Sequence, residues 1–284
     1  MFVCVSPSEL LSAAPASVPN FVRANSTVHA EFVHQAGRTA VARLFEAGGV
    51  RLRFPNAGTA CEGVLINTAG GMTGGDVVDL SLDLQHQAAV TIATQAAEKV
   101  YRAENTPASV ALTFSLADKA LLAWLPQETI LFDGARLVRS LDVTMATSAR
   151  LTLLEVLVFG RVARGEQLRS GILRDRWRIR RESELVLAEE VRLEGPISEL
   201  LSRRGIGGGS RCVALLAQVA PNAEARLPAV RRSFTGAGSE CGASAWNGLL
   251  VARFAGIDPA AVRADAIRAA VALLGAPLPR VWSC

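Results

Sequence analysis

Carboxylates set beside turns are the residues in this 284-residue chain whose type and spacing can do chemistry. Asp76 closes a turn holding four glycines, Gly70, Gly71, Gly74 and Gly75. Glu98 precedes Lys99, Glu128 and Asp133 flank the segment after Pro126, and Glu166 follows Gly165. An acid so placed either caps a loop by accepting backbone N–H bonds or lines a polar space. Carboxylate oxygens are hard ligands that bind divalent ions weakly without imidazole or thiolate partners. Weak, exchangeable binding suits the passage of an ion better than its storage. Glu128 and Asp133 make the better case for such a role. They adjoin the apolar run Leu121–Leu125, where an unpaired carboxylate is costly. Asp76 makes the weaker case, because its glycine turn offers backbone donors close at hand.

Other chemistries lack their residues. His29, His34 and His86 are too few and too scattered for a structural metal site. There is no G-x-S-x-G or H-E-x-x-H segment. The glycine turn at 70–75 is out of register with G-x-G-x-x-G. The run Gly205-Ile206-Gly207-Gly208-Gly209 lacks the lysine of a phosphate-binding loop and reads as a connector. Cys4, Cys61, Cys212, Cys241 and Cys284 form no C-x-x-C pair and no disulfide framework. That usage points to a reducing, cytoplasmic setting. Cys284 can touch a metal or stand as a spectator thiol. A metal-dependent hydrolase built on Asp76, Glu128 and Asp133 is the enzymatic alternative. It requires three or more ligands and an open coordination position, with no histidine nearby to help.

Composition sets further bounds. Half the residues are hydrophobic, a fifth are charged, and the net charge is +4, with mean hydropathy +0.28 and a pI near 9.1. No window is apolar enough for a transmembrane helix. The first basic residue is Arg23, so the N-terminus reads as a ragged extension rather than a signal peptide. Nearly all the positive charge is arginine. The densest run, Arg174–Arg181, sets Arg176, Arg178 and Arg180 against Trp177 and Ile179 as one face of a strand. That face is a solvated sheet surface, a docking surface for an acidic protein, or a nucleic-acid contact. Aromatic residues for base stacking are scarce, which disfavours the last.

The elements that must position the acids are mostly strands. Val78, Leu80, Leu82 and Leu84 alternate with polar residues, as do Val110, Leu112, Phe114 and Leu116, and Leu141, Val143 and Met145. Leu121–Leu125 and Arg150–Phe159 are apolar strands. Short strands between frequent turns predict a sandwich, barrel or solenoid-like body. No fixed-period repeat supports a regular solenoid. After Gly209 the pattern changes. Arg211–Val219 and Ala245–Phe254 read as strands, and Asn222–Phe234 as a helix interrupted by Pro228. Asp258–Leu274 is the clearest helix, with Asp258 as cap, Pro259 at the first position, and Gly275 and Pro277 as the stop. The expected organisation is an extension over 1–28, a β-rich body over 29–204, and an α+β part over 205–284 packed on it.

Four segments stand in order: Gly70–Asp76 as GG-x-x-GGD, Thr94–Arg102 as T-x-x-x-x-K-x-Y-R, Leu125–Ala135 as LPQE-x-x-x-FDGA, and Gly160–Glu166 as GR-x-x-x-GE. Ser244–Arg253 (SAWNGLLVAR) and Leu278–Trp282 (LPRVW) follow. Together they resemble the urease accessory protein UreD family, also called UreH, from about His29 onward. Thr68-Ala69 stands where many relatives have proline. The resemblance implies an elongated, mainly β body, sandwich-like or β-helix-like, with two α-helices near the C-terminus. It implies a non-enzymatic scaffold for assembly of the urease nickel centre. Expected partners are apo-urease, a UreF-like accessory protein and, through it, a UreG-like GTPase, with neither nucleic acid nor membrane among them. No cofactor is expected to stay bound. Nickel in transit is expected to pass a polar tunnel, for which Asp76, Glu128, Asp133 and Glu166 are the candidate lining acids. The stripe Val262, Ala266, Leu273 and Leu274, with Trp282 expected to be exposed near the end, is the candidate partner surface; core packing is the other use of that stripe.

Overall fold

The computed structural model describes residues 23–55 and 60–283. The strands are β1 (Asn25–Gln35), β2 (Arg38–Ala47), β3 (Val50–Arg53), β4 (Cys61–Asn67), β5 (Val77–Leu84) and β6 (Ala89–Thr94). Next come β7 (Glu98–Val100), β8 (Ala108–Leu116), β9 (Leu121–Leu125), β10 (Thr129–Leu131), β11 (Arg136–Met145) and β12 (Arg150–Phe159). The last are β13 (Gly171–Arg181), β14 (Glu184–Gly195), β15 (Cys212–Val219), β16 (Glu240–Trp246) and β17 (Leu249–Gly256). Three α-helices stand among the described residues: α1 (Ile197–Ser202), α2 (Leu227–Arg232) and α3 (Pro259–Leu274).

Two sheets face each other. One runs β14-β13-β11-β8-β5-β1-β2 and the other β16-β17-β15-β12-β9-β6-β4-β3, with β10 beside β12 and β7 beside β10. The chain passes from one sheet to the other and back, from β4 to β5, β6 to β8, β9 to β11 and β12 to β13. Successive strands within each sheet are therefore parallel. The body is thus mainly β and built as a stack of solenoid-like coils. The rungs begin at Ala89, Leu121 and Arg150, which are unequal steps. That inequality is why a solenoid leaves no fixed-period repeat in the sequence.

Register turns the coil into ladders of side chains. Val28, Leu80, Leu112, Leu141 and Trp177 stand side by side across the first sheet, and Ala30, Leu82, Phe114, Val143 and Ile179 form the next row. All ten are buried and meet Val90, Ile92, Leu122, Trp124, Leu151 and Leu153 of the facing sheet. The opposite face of β13 carries its arginines outward, where Arg174 pairs with Glu194, Arg176 with Asp142 and Arg178 with Glu190. The two guanidinium groups of Arg174 and Arg192 hold the Glu194 carboxyl down at about 2. The arginine run is thus the outer face of a sheet, with Arg174, Arg176 and Arg178 paired to acids of that sheet.

The C-terminal part extends the second sheet rather than forming a separate layer of strands: β15 pairs with β12, β17 with β15 and β16 with β17, all antiparallel. The expected single strand at 245–254 is a hairpin, turned at Asn247-Gly248, both with positive φ. The expected helix at 222–234 is a 3-10 turn at Ala223–Arg226 leading into α2. Pro228 sits in the first turn of α2, where its missing N–H costs nothing, and Asn222 makes no side-chain cap. The short α1 follows a segment that reads only as a turn.

Helix α3 matches its expected ends. The Asp258 side chain accepts from the Ala260 N–H at 2.9 Å, and Gly275 adopts the left-handed conformation with its N–H on Val271 O. Its stripe corrects the expected partner surface, because Val262, Ala266 and Leu273 are fully buried against the outer face of the second sheet, and Leu274 is half-buried there. Trp282 is buried as well, not exposed. Its Nε1–H donates to Leu125 O at 3.0 Å, and the Arg263 guanidinium lies 4.9 Å from its ring centre. Burying an aromatic ring with its polar handle satisfied is strongly stabilising. Accordingly, Trp282→Ala should lower the unfolding free energy by about 3–5 kcal/mol in a denaturant titration. A loss below about 1 kcal/mol, typical of surface substitutions, would return the residue to the surface.

Candidate functional site

The four family-like segments form one corner of the coil. Met72 N–H donates to Lys99 O at 2.7 Å and Tyr101 N–H to Met72 O at 2.8 Å, which ties the glycine turn to the segment at 94–102. Glu98 N–H donates to Glu128 O, Phe132 N–H to Val100 O and Gly160 N–H to Leu131 O, stacking the next two segments on it. Gly71 has φ +152°, and a Cβ there would meet the Tyr101 ring and Lys99 O below 3 Å. Only glycine lets the turn lie against this rung.

Behind that corner is an interior cavity of about 250 Å³. Its outer end is walled by Asn67, Gly70, Gly71 and Glu98, and its inner end by Thr129, Arg139, Glu155 and Trp177. Glu98 is half-buried. Burial pushes its carboxyl up, partly offset by the Asn67 amide and the Lys99 backbone and charge. Asn67 Nδ2 donates to both Glu98 oxygens at 3.1 Å. Gln127 closes the side wall: its amide donates to Thr94 O, Gln95 O and Val281 O, so the rung and the C-terminal tail are tied together.

The inner end is ionic. The row of inward residues that reads Ser26, Val78 and Val110 continues as Arg139 and Asp175. Arg139 grips Asp175 as a fork, Nε to Oδ1 at 3.0 Å and Nη2 to Oδ2 at 2.7 Å. The same Nη2 reaches across the interior to Glu155 of β12 on the facing sheet. Its Nη1 approaches Thr129 Oγ1 at 3.5 Å. Beyond lies a second cavity of about 550 Å³, lined by Glu155, Asp175, Trp177, Glu189, Cys241 and Arg253 among others. Glu155 and Trp177 wall both hollows.

The expected lining acids lie elsewhere. Asp76 is buried and accepts from Ala24 N–H at 2.9 Å and Thr73 N–H at 2.7 Å, which is a turn cap. Glu128 pairs with Arg263 of α3 at 3.2 Å, clamping that helix to the coil. Asp133 accepts from the Arg169 N–H and guanidinium and from Ser170 N–H. Burial pushes its carboxyl up, but these donors hold it below the usual range. Glu166 is held low by Arg161 above all, and accepts from Asp133 N–H. None of the four lines either cavity. Among the described residues no group of three His, Cys, Asp or Glu is arranged to hold a metal. Cys212 is pushed up to about 12, first by burial and then by the Glu128 and Asp258 charges. Cys4 and Cys284 lie outside the described residues, as does most of the expected extension at 1–28.

The interior acids Glu155 and Asp175 carried no turn signal. Glu155 breaks an otherwise apolar run, LTLLEVLVF, and that interruption was the sign available. Asp175 alternates in phase with Trp177 and Ile179, which places it on the inward face.

Fold and interior together define a non-membrane-helix β-coil with a charged hollow behind one corner; no helix among the described residues is long and apolar enough to cross a membrane. Comparison with known proteins makes this specific. The family described as UreD urease accessory protein matches residues 24–283. A urease accessory protein UreD of Beijerinckia indica is 46% identical over 262 residues, covering 92% of this chain and 97% of its own. One from Azorhizobium caulinodans is 46% identical over 249 residues, covering 87% and 92%, and one from a Methylobacterium species is 47% identical over 252 residues, covering 87% and 89%. The chain belongs to the UreD urease accessory protein family.

Glu98 yields a test of its environment. With its carboxyl pushed up by burial, the folded state favours the neutral acid, so ionisation costs stability as pH rises through and beyond the carboxylate range. Glu98→Gln should therefore raise the thermal midpoint at pH 7–8, and the gain should vanish at acidic pH, where wild type is neutral too. An amide that destabilises equally at both pH values would show that the carboxylate is a structural acceptor.

Proposed function

We propose that this chain is a cytoplasmic scaffold in maturation of the urease nickel centre, that it binds apo-urease and a UreF-like protein that recruits a UreG-like GTPase, and that a hydrated nickel ion passes through its interior. The observation that carries the reading is that three of the four family-like segments, those at 70–76, 94–102 and 125–135, wall a hollow that also holds Glu98 and Glu155. Nickel here is cargo. Carboxylates without imidazole or thiolate hold it weakly enough to let go. The route uses Glu98 and Glu155, which line the hollow, whereas Asp76, Glu128, Asp133 and Glu166 lie outside it and are taken up by backbone N–H groups and arginines. Those four then act as corner caps and clamps.

The hydrolase reading needs Asp76, Glu128 and Asp133 around one ion. Each instead faces different donors, namely Thr73 and Ala24, Arg263, and Arg169. On the arginine face of β13, Arg174, Arg176 and Arg178 pair with the sheet's own acids, which weakens the motive for a nucleic-acid reading.

The experiment replaces the resident UreD of a urease operon with this chain and reads urease activation beside recovery of the accessory complex. The wild-type chain should support both. Glu98→Gln should slow activation several-fold at normal complex yield. Asp133→Asn should lower yield and activation together, because a neutral acceptor bonds N–H groups and Arg169 less strongly. Full activation by both variants would remove the interior route, and absence of any activation or complex with wild type would remove the maturation role.

A further inference from the structure

Between the two interior cavities stand Trp177 and the ion cluster of Arg139, Asp175 and Glu155. Arg139 belongs to the first sheet and holds Asp175, its neighbour on the adjacent strand, through two hydrogen bonds. Its contacts with the facing sheet are the Nη2 bond to Glu155 and the long Nη1 approach to Thr129 Oγ1 at 3.5 Å. Glu155 faces the hollow behind the corner on one side and the larger hollow on the other. The ion pairs of both carboxylates run to this one guanidinium. Two carboxylates facing one guanidinium leave a negative charge without a cation of its own, in a place where unpaired charge is costly. The cluster is therefore poised to take a second cation and to repel an anion.

The parts are unequally held. The fork to Asp175 is bidentate and lies within one sheet, so it has the favourable geometry for a guanidinium and a carboxylate. The bridge to Glu155 is one bond across the gap. Thr129 Oγ1 already stands beside Nη1, and the first cavity gives the guanidinium room on that side.

We propose that the Arg139–Glu155 bridge is a cation-operated partition: a divalent ion arriving on Glu155 takes the place of the guanidinium, Arg139 stays on Asp175, and the two hollows join. No covalent bond changes; one ion pair is exchanged for another. The inference rests on the proposed passage of nickel through the interior and adds its point of selection. Arg139 acts on the ion through Glu155 and is a positioning residue.

The test uses the full chain within the urease operon. Glu155→Gln keeps shape and removes the excess charge, leaving a matched Arg139–Asp175 pair. Activation should be at least about tenfold slower, since a charge beside the ion counts for more in a partly buried site than in water, with normal complex yield. The pair Arg139→Gln with Asp175→Asn removes the bar but leaves the single charge of Glu155, and activation should equal or exceed wild type. Wild-type activation by Glu155→Gln, or equal slowing by both variants at normal yield, overturns the partition. If neither variant yields complex, a cadmium soak of wild-type crystals decides. Anomalous density on Glu155 with Arg139 still forked to Asp175 supports the proposal, and its absence there overturns it. The maturation reading fails separately: wild type would then fail to activate at all, whereas failure of the partition alone leaves wild type active and Glu98→Gln slow.

Discussion

Parallel register governs this molecule. Neighbouring strands lie about 4.8 Å apart, and in a two-sheet coil each inward side chain stands beside its counterpart from the rung before. A residue type chosen at one position therefore sets what its neighbours can be. Leu80, Leu112, Leu141 and Trp177 make one such row, and Leu82, Phe114, Val143 and Ile179 the next. One row further along, the same rule carries Val78 and Val110 into Arg139 and Asp175. Because the partner of an inward charge is fixed by register, Arg139 meets Asp175 without searching for it. The facing sheet then needs only Glu155 to complete the cluster.

The cluster comes at a cost in stability. Replacing a buried ion triad by apolar residues of similar volume is often neutral or stabilising, and the rows on either side show that the coil accommodates such residues. A cavity next to charged groups forfeits packing as well. Glu98, raised by burial at the outer end, adds a third cost. A coil that packs leucine, valine and phenylalanine through most of its described interior gathers its ionised interruptions along a line from Asn67 and Glu98 to Glu155 and Asp175. Such a concentration of unfavourable features is where function is expected to reside.

Much of the fold was legible. Alternation gave β5, β8 and β11, and cap, proline and glycine gave α3 to the residue. The coil was legible as one of several β architectures and no further, because its rungs are unequal and a parallel strand pair leaves no local mark. The Asn247-Gly248 hairpin was readable from a dipeptide that favours positive φ at both positions, but the flanking apolar residues suggest one continuous strand. Trp282 misled for a physical reason. A tryptophan near a chain end is exposed only if nothing covers it, and Leu125 O, Arg263 and α3 cover it here. The stripe of α3 answers to the same rule: its own sheet offers the nearest apolar surface.

The division of labour among the acids follows from where each kind of residue can sit. A turn supplies unsatisfied N–H groups within a few residues, so a carboxylate placed there is captured by them, as Asp76 is by Thr73 and Ala24 and Asp133 by Arg169 and Ser170. Its lone pairs are then unavailable to an ion. An inward position on a strand offers no such donors, since the ladder consumes the backbone N–H groups. A carboxylate there must find a side-chain partner or keep its charge for a visitor. Asp175 finds Arg139, Glu98 finds the neutral amide of Asn67 and the Lys99 backbone, and Glu155 shares a guanidinium already engaged. The signature of an ion path in a β-coil is therefore an acid that breaks an apolar strand, as Glu155 breaks LTLLEVLVF, whereas the conspicuous acids at glycine turns shape the corners that hold it in place.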